Sequence, residues 1–453
     1  MQSQNNVDVV LGAQLGDEGK GRLIDILASN YDIVARCNSG GNAGHKVVVD
    51  GYTYAFHLVP SGILNPNVIG IIGNGCVINL ADLHHEIETI QNTNPSNPAT
   101  TNITTRLFIS DRTHIVIDLH KQADSIREHI KGTTQINHTT NKIDKSIGTT
   151  KQGMGPVYAT KALRVGLRMC DLFLEYSQLL DKVIELVNEL NLCIKDDNIS
   201  ISSVMEQIQK YIDFYRPMVI DTITYLNNAI KTNKSILVEG AQACLLDIDF
   251  GVYPYCTATN CTAGSICTGL GIPPSSVGTI NYVMKTYCTR VGNGPFPTEQ
   301  INTIGAQLQE LGHEYGTTTG RRRRCGWLDI PMVKWAITIN GSLSAQICIT
   351  KLDVLDTFSE IKLATKYYIL DKQTSKKKYL DAFPASLELL SKVHVEYEVF
   401  PGWQTSTTHI RKFEDLPTNA KLYLARIEEL LEVPICWIGV GPDRNAMISN
   451  PTK

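Results

Sequence analysis

The stretch that most constrains the fold is Gly12-Ala13-Gln14-Leu15-Gly16-Asp17-Glu18-Gly19-Lys20-Gly21-Arg22. Ahead of it, Val7-Asp8-Val9-Val10-Leu11 has the apolar, β-branched bias of a buried strand. Behind it, Leu23, Ile24, Ile26 and Leu27 have the spacing of one helix face. A strand, a glycine-rich turn and a helix in that order suit phosphate. Glycines let backbone N–H groups approach an anion, and the helix N-terminus adds partial positive charge. The stretch departs twice from the standard phosphate loop, G-x-x-x-x-G-K-[ST]. Gln14 replaces the first glycine, and Gly21 stands where a hydroxyl would meet magnesium. Lys20 can still reach a phosphate. Asp17 would repel one unless it binds a metal or takes a proton. Magnesium held by Asp17 and backbone carbonyls is therefore one reading, and a proton-accepting Asp17 another. The plain alternative is a glycine-rich surface turn.

The same grammar recurs along the chain. Asp32-Ile33-Val34-Ala35-Arg36 reads as a strand running into a second glycine-rich loop, Asn38 to His45. Val68 to Gly73, Ser235 to Gly240, Ile347 to Thr350 and Pro434 to Gly439 read as further strands, and Lys46 to Tyr54 as a hairpin turning at Asp50-Gly51. Asp171 to Lys231 has helical spacing, as do Ala420, Leu424, Ile427 and Leu431. Strands ending in polar or glycine-rich loops suit an open sheet that binds ligands along that edge. The predicted fold is α/β: a large, mostly parallel central sheet flanked by helices, resembling a P-loop NTPase but with a non-standard phosphate loop, and carrying helical and loop subdomains. No linker or repeat divides the chain, so residues 1–453 read as a single domain. The Asn/Thr-rich stretches 92–105 and 131–145 read as exposed loops or insertions.

Three further stretches carry chemistry. His45 follows Asn42-Ala43-Gly44 and could donate a proton or hydrogen bond to a developing phosphate oxyanion; a purely structural histidine is the alternative. Thr350-Lys351-Leu352-Asp353 resembles the guanine-reading pattern [NT]-K-x-D, in which one carboxylate accepts from guanine N1–H and the exocyclic amine. Asp353 could equally cap a turn. Thr317-Thr318-Thr319-Gly320-Arg321-Arg322-Arg323-Arg324 suits bidentate capture of a small carboxylate or phosphate. A formal net charge of −3 and the lack of interleaved aromatics argue against nucleic acid. Among the twelve cysteines, Cys256, Cys261 and Cys267 fit no standard zinc spacing and read as buried thiols in a reducing compartment. The N-terminus lacks a secretory pattern, and no apolar run approaches the roughly 18 residues of a membrane span, so a cytoplasmic protein without membrane partners is expected.

In order, the chain carries Gln14 to Gly21, Asn42 to His45, Ile147 to Thr150, Gly153 to Tyr158, Glu239 to Gln242, Leu245 to Asp249, and Tyr253 to Tyr255. Then follow Thr289 to Glu299, Thr318 to Arg324, Gly326 to Asp329, Thr350 to Asp356, and Gly441 to Arg444. This ordered series resembles the adenylosuccinate synthetase family. The resemblance implies ligation of IMP and L-aspartate to adenylosuccinate, with GTP cleaved to GDP and phosphate through 6-phosphoryl-IMP, the first committed step of AMP synthesis from IMP. It implies a catalytic set of Asp17, His45, Lys20 and Gln242. IMP would meet Asp17, Lys20, Asn42, His45, Thr150, Gln242, Thr257, Val291 and Arg321, with Arg164 of the partner subunit completing the site in a homodimer. Aspartate would meet Thr317, Thr318, Thr319, Arg321 and Arg323. GTP would meet Gly16, Glu18, Gly19, Lys20, Gly44, His45, Arg323, Lys351, Leu352, Asp353, Gly439, Val440 and Gly441. Magnesium would sit on Asp17 and the Gly44 carbonyl. Leu15 replaces the family's usual tryptophan, Gly41 its usual histidine, and Gly439-Val440 a usual hydroxyl pair. Phage relatives that act on dGMP carry serine where this chain has Asp17, which favours IMP. A GTP-binding protein without synthetic activity would need neither His45 nor the Arg321 loop.

Overall fold

The computed structural model describes residues 6–49, 51–133, 146–196, 198–316, 320, 322–341, 344–371 and 373–450. Its centre is a ten-stranded sheet. In chain order the strands are β1 (Val7–Gly12), β2 (Ile33–Arg36), β3 (Ile69–Ile72), β4 (Leu107–Ser110), β5 (Val219–Ile220), β6 (Ile236–Glu239), β7 (Val277–Lys285), β8 (Ala345–Thr350), β9 (Ile435–Gly439) and β10 (Met447–Ser449). Across the sheet they run β10-β9-β8-β7-β1-β6-β2-β3-β4-β5. Every pairing is parallel except the antiparallel edge pair β9 and β10.

Strand β1 is buried on both faces, as a parallel sheet between helical layers requires. Val7, Val9 and Leu11 pack into the larger core, while Val10 joins Leu23 and Ile24 of helix α1 (Lys20–Leu27) on the other side. The period of two in the strand and the helical spacing behind it thus meet across one sheet face. Because nine strands run the same way, the loops after β1, β2, β6, β8 and β9 gather along one edge, and the candidate site forms there.

A second, five-stranded sheet is built from Tyr287–Arg290, Arg324–Asp329, Glu360–Leu370, Lys377–Tyr379 and His394–Pro401. It went unread in the sequence. Its long strand Glu360–Leu370 mixes exposed and buried positions irregularly, so neither alternation nor a continuous apolar run marks it.

The stretch 92–105 is largely at the surface, as expected, but it is ordered into short helical turns and not a plain loop. Asn97 caps the short helix Pro98–Thr101 by accepting from the Ala99 amide at 2.9 Å, with proline at the first turn. Ala99, Thr100 and Ile103 are buried, and the Arg106 guanidinium binds the carbonyls of Ile63, Asn65, Val68 and Ala99. Of the stretch 131–145, the first residues end the helix Asp118–Thr133 and residues 134–145 lie outside the described residues. The hairpin pairs Val49 with Tyr52 around Gly51, with Asp50 outside the described residues. The helical reading of Asp171 to Lys231 fits Tyr176–Ile194, Ile201–Gln209 and Thr222–Lys231, although β5 interrupts it. Among the described residues no helix is long and apolar enough to cross a membrane.

Candidate active site

The first loop is a tight coil with three left-handed residues, Gly16 (φ 98°), Asp17 (φ 59°) and Gly19 (φ 93°). Aspartate is among the few side chains that tolerate this region. Glu18 holds the coil from inside. It is buried, accepts from the Gly16 amide at 2.8 Å and pairs with Lys20 Nζ at 2.9 Å. Gln14 has a fastening role where a standard loop has glycine. Its amide donates to the carbonyls of Lys285 (3.2 Å) and Tyr287 (3.0 Å) and accepts from the Lys285 amide (3.0 Å), bolting the loop to the end of β7. Thr350 Oγ1 donates to the Glu18 carbonyl at 2.7 Å from the end of β8. Two arginines clamp the loop after β9 to α1: Arg22 donates to the Gly441 carbonyl, and Arg444 pairs with both oxygens of Asp25 at 2.5 and 2.6 Å.

His45 opens the hairpin and meets Glu239, the last residue of β6. Nδ1 lies 2.5 Å from Glu239 Oε1. Glu239 is fully buried, and its other oxygen accepts from the Ser61 amide and hydroxyl at 2.8 and 3.0 Å. Arg36 Nη1 lies 3.4 Å from Oε1. Burial alone would raise the Glu239 carboxyl, but His45 and Arg36 outweigh it and hold it down at about 2. Burial pushes the His45 imidazole below its ordinary value, opposed by Glu239. An ionised Glu239 places the imidazole proton on Nδ1.

Asp17 has a different partner. Arg323 Nε donates to Asp17 Oδ2 at 2.8 Å, and Arg323 Nη1 lies 2.5 Å from the buried carboxylate of Glu314. Glu314 also receives Lys285, and Lys351 Nζ stands 3.8 Å from it. Burial lowers Lys351 and raises Asp353 from their ordinary values.

These groups line two cavities. The larger, of about 790 Å³, is bounded by Asp17, Glu18, Gly19, Lys20, Gly44, His45, Arg323, Lys351, Asp353 and Gly441 among others. The smaller, of about 400 Å³, is bounded by Thr150, Thr257 and Val291, and shares Asn42 and Gln242 with the first. A cleft of about 110 Å³ touches both sets, with Gly16, Asp17, Gly44, Asn42, Thr150, Gln242 and Val291 in its lining. Leu352, Gly439 and Val440 are packed behind these surfaces and line none of them. Arg164 is exposed at the end of helix Met154–Leu163 and also lines none. Thr317, Thr318, Thr319 and Arg321 lie outside the described residues.

Glu239 and Glu314 were not singled out as site residues from sequence. A glutamate closing the buried run Ile236-Leu237-Val238 signals a partnered charge. Glu314 has no such local signal. Among the described residues no group of three or more His, Cys, Asp or Glu could hold a metal. A cation here would rest on few protein oxygens and on the substrate, which is magnesium's habit. Asp17 Oδ1 has no hydrogen-bond partner among the described residues, and the Gly44 backbone borders the same cleft, so hard oxygen donors are present.

A glycine-rich loop opening a helix, a carboxylate and a carboxylate-held histidine on the C-terminal edge of a parallel sheet have the make-up of a nucleotide-using α/β enzyme. The profile of the adenylosuccinate synthetase family matches residues 9–448. Adenylosuccinate synthetases of Drosophila virilis and Drosophila melanogaster are 47% and 46% identical over 446 residues, covering 98% of this chain and 94% and 95% of theirs. The fully ligated adenylosuccinate synthetase structure from Plasmodium falciparum superposes with a TM-score of 0.89 at 40% identity, over 98% of this chain and 100% of that one. The succinoaminodeoxyadenylate synthetase of cyanophage S-2L, bound to dGMP and dATP, shares the fold at a TM-score of 0.58 and 19% identity, over 99% of this chain and 96% of that one. The chain belongs to the adenylosuccinate synthetase family.

Proposed function

We propose that the protein ligates IMP and L-aspartate to adenylosuccinate while cleaving GTP to GDP and phosphate, with the whole chain working as one unit. The observation that carries the assignment of roles is the position of Asp17. It lines the larger cavity and also the cleft shared with the smaller one, so a purine in the smaller and a triphosphate in the larger would meet beside it.

A purine carbonyl is a poor nucleophile until deprotonated and a poor leaving group until phosphorylated. Asp17 takes the N1 proton of IMP, and the 6-oxygen attacks the γ-phosphorus as GDP leaves. His45 presents its second ring nitrogen to the transferring group while Glu239 holds the first. The arriving triphosphate adds negative charge on the open side, which favours the protonated imidazole and its donation to the phosphoryl oxygens. The aspartate amine then attacks C6, phosphate departs and the amine loses its proton. Arg323, with Thr317, Thr318, Thr319 and Arg321, captures the aspartate carboxylates by charge-assisted bonds. Lys351 and Asp353 read guanine. Asn42, Thr150, Gln242, Thr257 and Val291 seat IMP.

Magnesium would be held by Asp17 and the Gly44 carbonyl, and when bound it offsets the charge of the phosphates. Arg164 would complete the IMP site of the partner subunit in a homodimer. Mixing an Arg164→Leu chain with an Asp17→Asn chain would then restore part of the activity.

The test is an absorbance assay of purine conversion, with IMP against dGMP, GTP against ATP, and aspartate omitted in turn. The reading requires change only with IMP, GTP and aspartate together. A silent assay with all three overturns it.

A further inference from the structure

Glu314 is fully buried and lines neither cavity, yet it is bonded to groups that do. Oε1 accepts from Lys285 Nζ at 2.9 Å and from the Tyr287 hydroxyl. Oε2 accepts from Lys285 Nζ at 2.8 Å and from Arg323 Nη1 at 2.5 Å. Its carbonyl accepts from the Arg323 amide at 2.9 Å. Lys351 Nζ, which donates to the Gly312 carbonyl two residues earlier at 2.5 Å, stands 3.8 Å from Oε1. Burial would raise this carboxyl, but Lys285, Lys351 and Arg323 hold it at about 2, so it stays ionised.

Lys285 alone would neutralise this charge, so the second contact to Arg323 calls for its own explanation. The Arg323 guanidinium is a rigid plane with one donor on Asp17 and another on Glu314, and two carboxylates at separate positions fix its orientation. We propose that Glu314 is a positioning residue of the reaction: it holds Arg323 against Asp17 and Lys351 at the guanine subsite, linking the proton-accepting carboxylate to the residue that reads the nucleotide base. The proposal rests on the roles given above to Asp17 and Lys351.

The test compares the wild type, Glu314→Gln and the double variant Lys285→Met/Glu314→Gln, measuring melting temperature, kcat and the KM for GTP and IMP. Glu314→Gln should fold, lose kcat by up to about 100-fold, as a small misplacement of groups at the reacting centre does, and raise the KM for GTP. The KM for IMP, assigned to the smaller cavity, should stay within about twofold. The double variant removes the buried Lys285 charge as well, and kcat should remain low. Wild-type kcat and KM for GTP in Glu314→Gln would overturn the proposal. So would recovery of kcat in the double variant, which would make Glu314 only the counterion of Lys285. Loss of fold in both variants also overturns it, because the carboxylate would then serve the fold and not the site. An inactive wild type in the same assay would instead defeat the functional reading itself.

Discussion

His45 and Glu239 act as one unit, with Nδ1 2.5 Å from Oε1 across 194 residues of sequence. The glutamate sets which ring nitrogen carries the proton, so removing its charge should harm chemistry more than binding. Glu239→Gln is expected to lose about 10²–10⁴-fold in kcat, the usual contribution of a general acid or base. It also leaves Arg36 without its buried counterion, at a cost of about 3–5 kcal/mol in urea unfolding. His45→Asn should suppress positional isotope exchange in GTP, because the phosphorylated intermediate no longer forms. Undiminished exchange would exclude His45 from phosphoryl transfer.

Asp17→Asn separates chemistry from folding. The side chain is 28% exposed and the backbone is left-handed at φ 59°, a conformation asparagine accepts. Thermal stability should be unchanged while kcat falls by about 10²–10⁴-fold, the usual contribution of a general base. Turnover near wild type would rule out Asp17 as the base.

Gly12 ends β1 with no room for a side chain. A Cβ there would stand 2.5 Å from Glu18 Oε2 and 2.8 Å from the Gln242 carbonyl. Gly12→Ala should destabilise the protein by about 1–3 kcal/mol and loosen the grip of Glu18 on Lys20. A urea midpoint equal to wild type would mean the loop yields more easily than its packing implies.

Two buried carboxylates, Glu239 and Glu314, are each held at about 2 in the folded protein, below their ordinary value of 4.5. For a depressed carboxyl the stabilisation is complete above the unfolded value and disappears as pH falls through the folded one. Stability should therefore fall steadily between about pH 5 and pH 2. The fall should be shallower in Glu239→Gln, which has one such group fewer. Urea midpoints measured against pH decide this, and an equally steep variant would contradict the assignment.

The sheet and its first loop were legible because their signals are local. Val7 to Leu11, the glycines after them and the Leu23-Ile24 face lie within one short window, and apolar period and turn chemistry report on such windows. Glu314 was not legible. Its partners Lys285, Tyr287 and Arg323 stand 29, 27 and 9 residues away, and the folded chain brings them together where β7 of the central sheet passes into the second sheet. Gln14 shows a middle case: its failure to match the phosphate loop was visible, but its bond to the end of β7 lies 271 residues away. In the stretch 92–105, Asn and Thr reported surface polarity but not the short helix that Asn97 caps, nor the burial of Ala99, Thr100 and Ile103.

The clamp of Arg22 on Gly441 joins residues 419 positions apart. At typical synthesis rates of about 5–20 residues per second, the first loop waits roughly 20–80 seconds before its clamp is synthesised. A nascent chain arrested before the loop after β9 would carry the phosphate loop unfastened on that side. Arg22 and Asp25 therefore gain these partners long after their own helix has been synthesised.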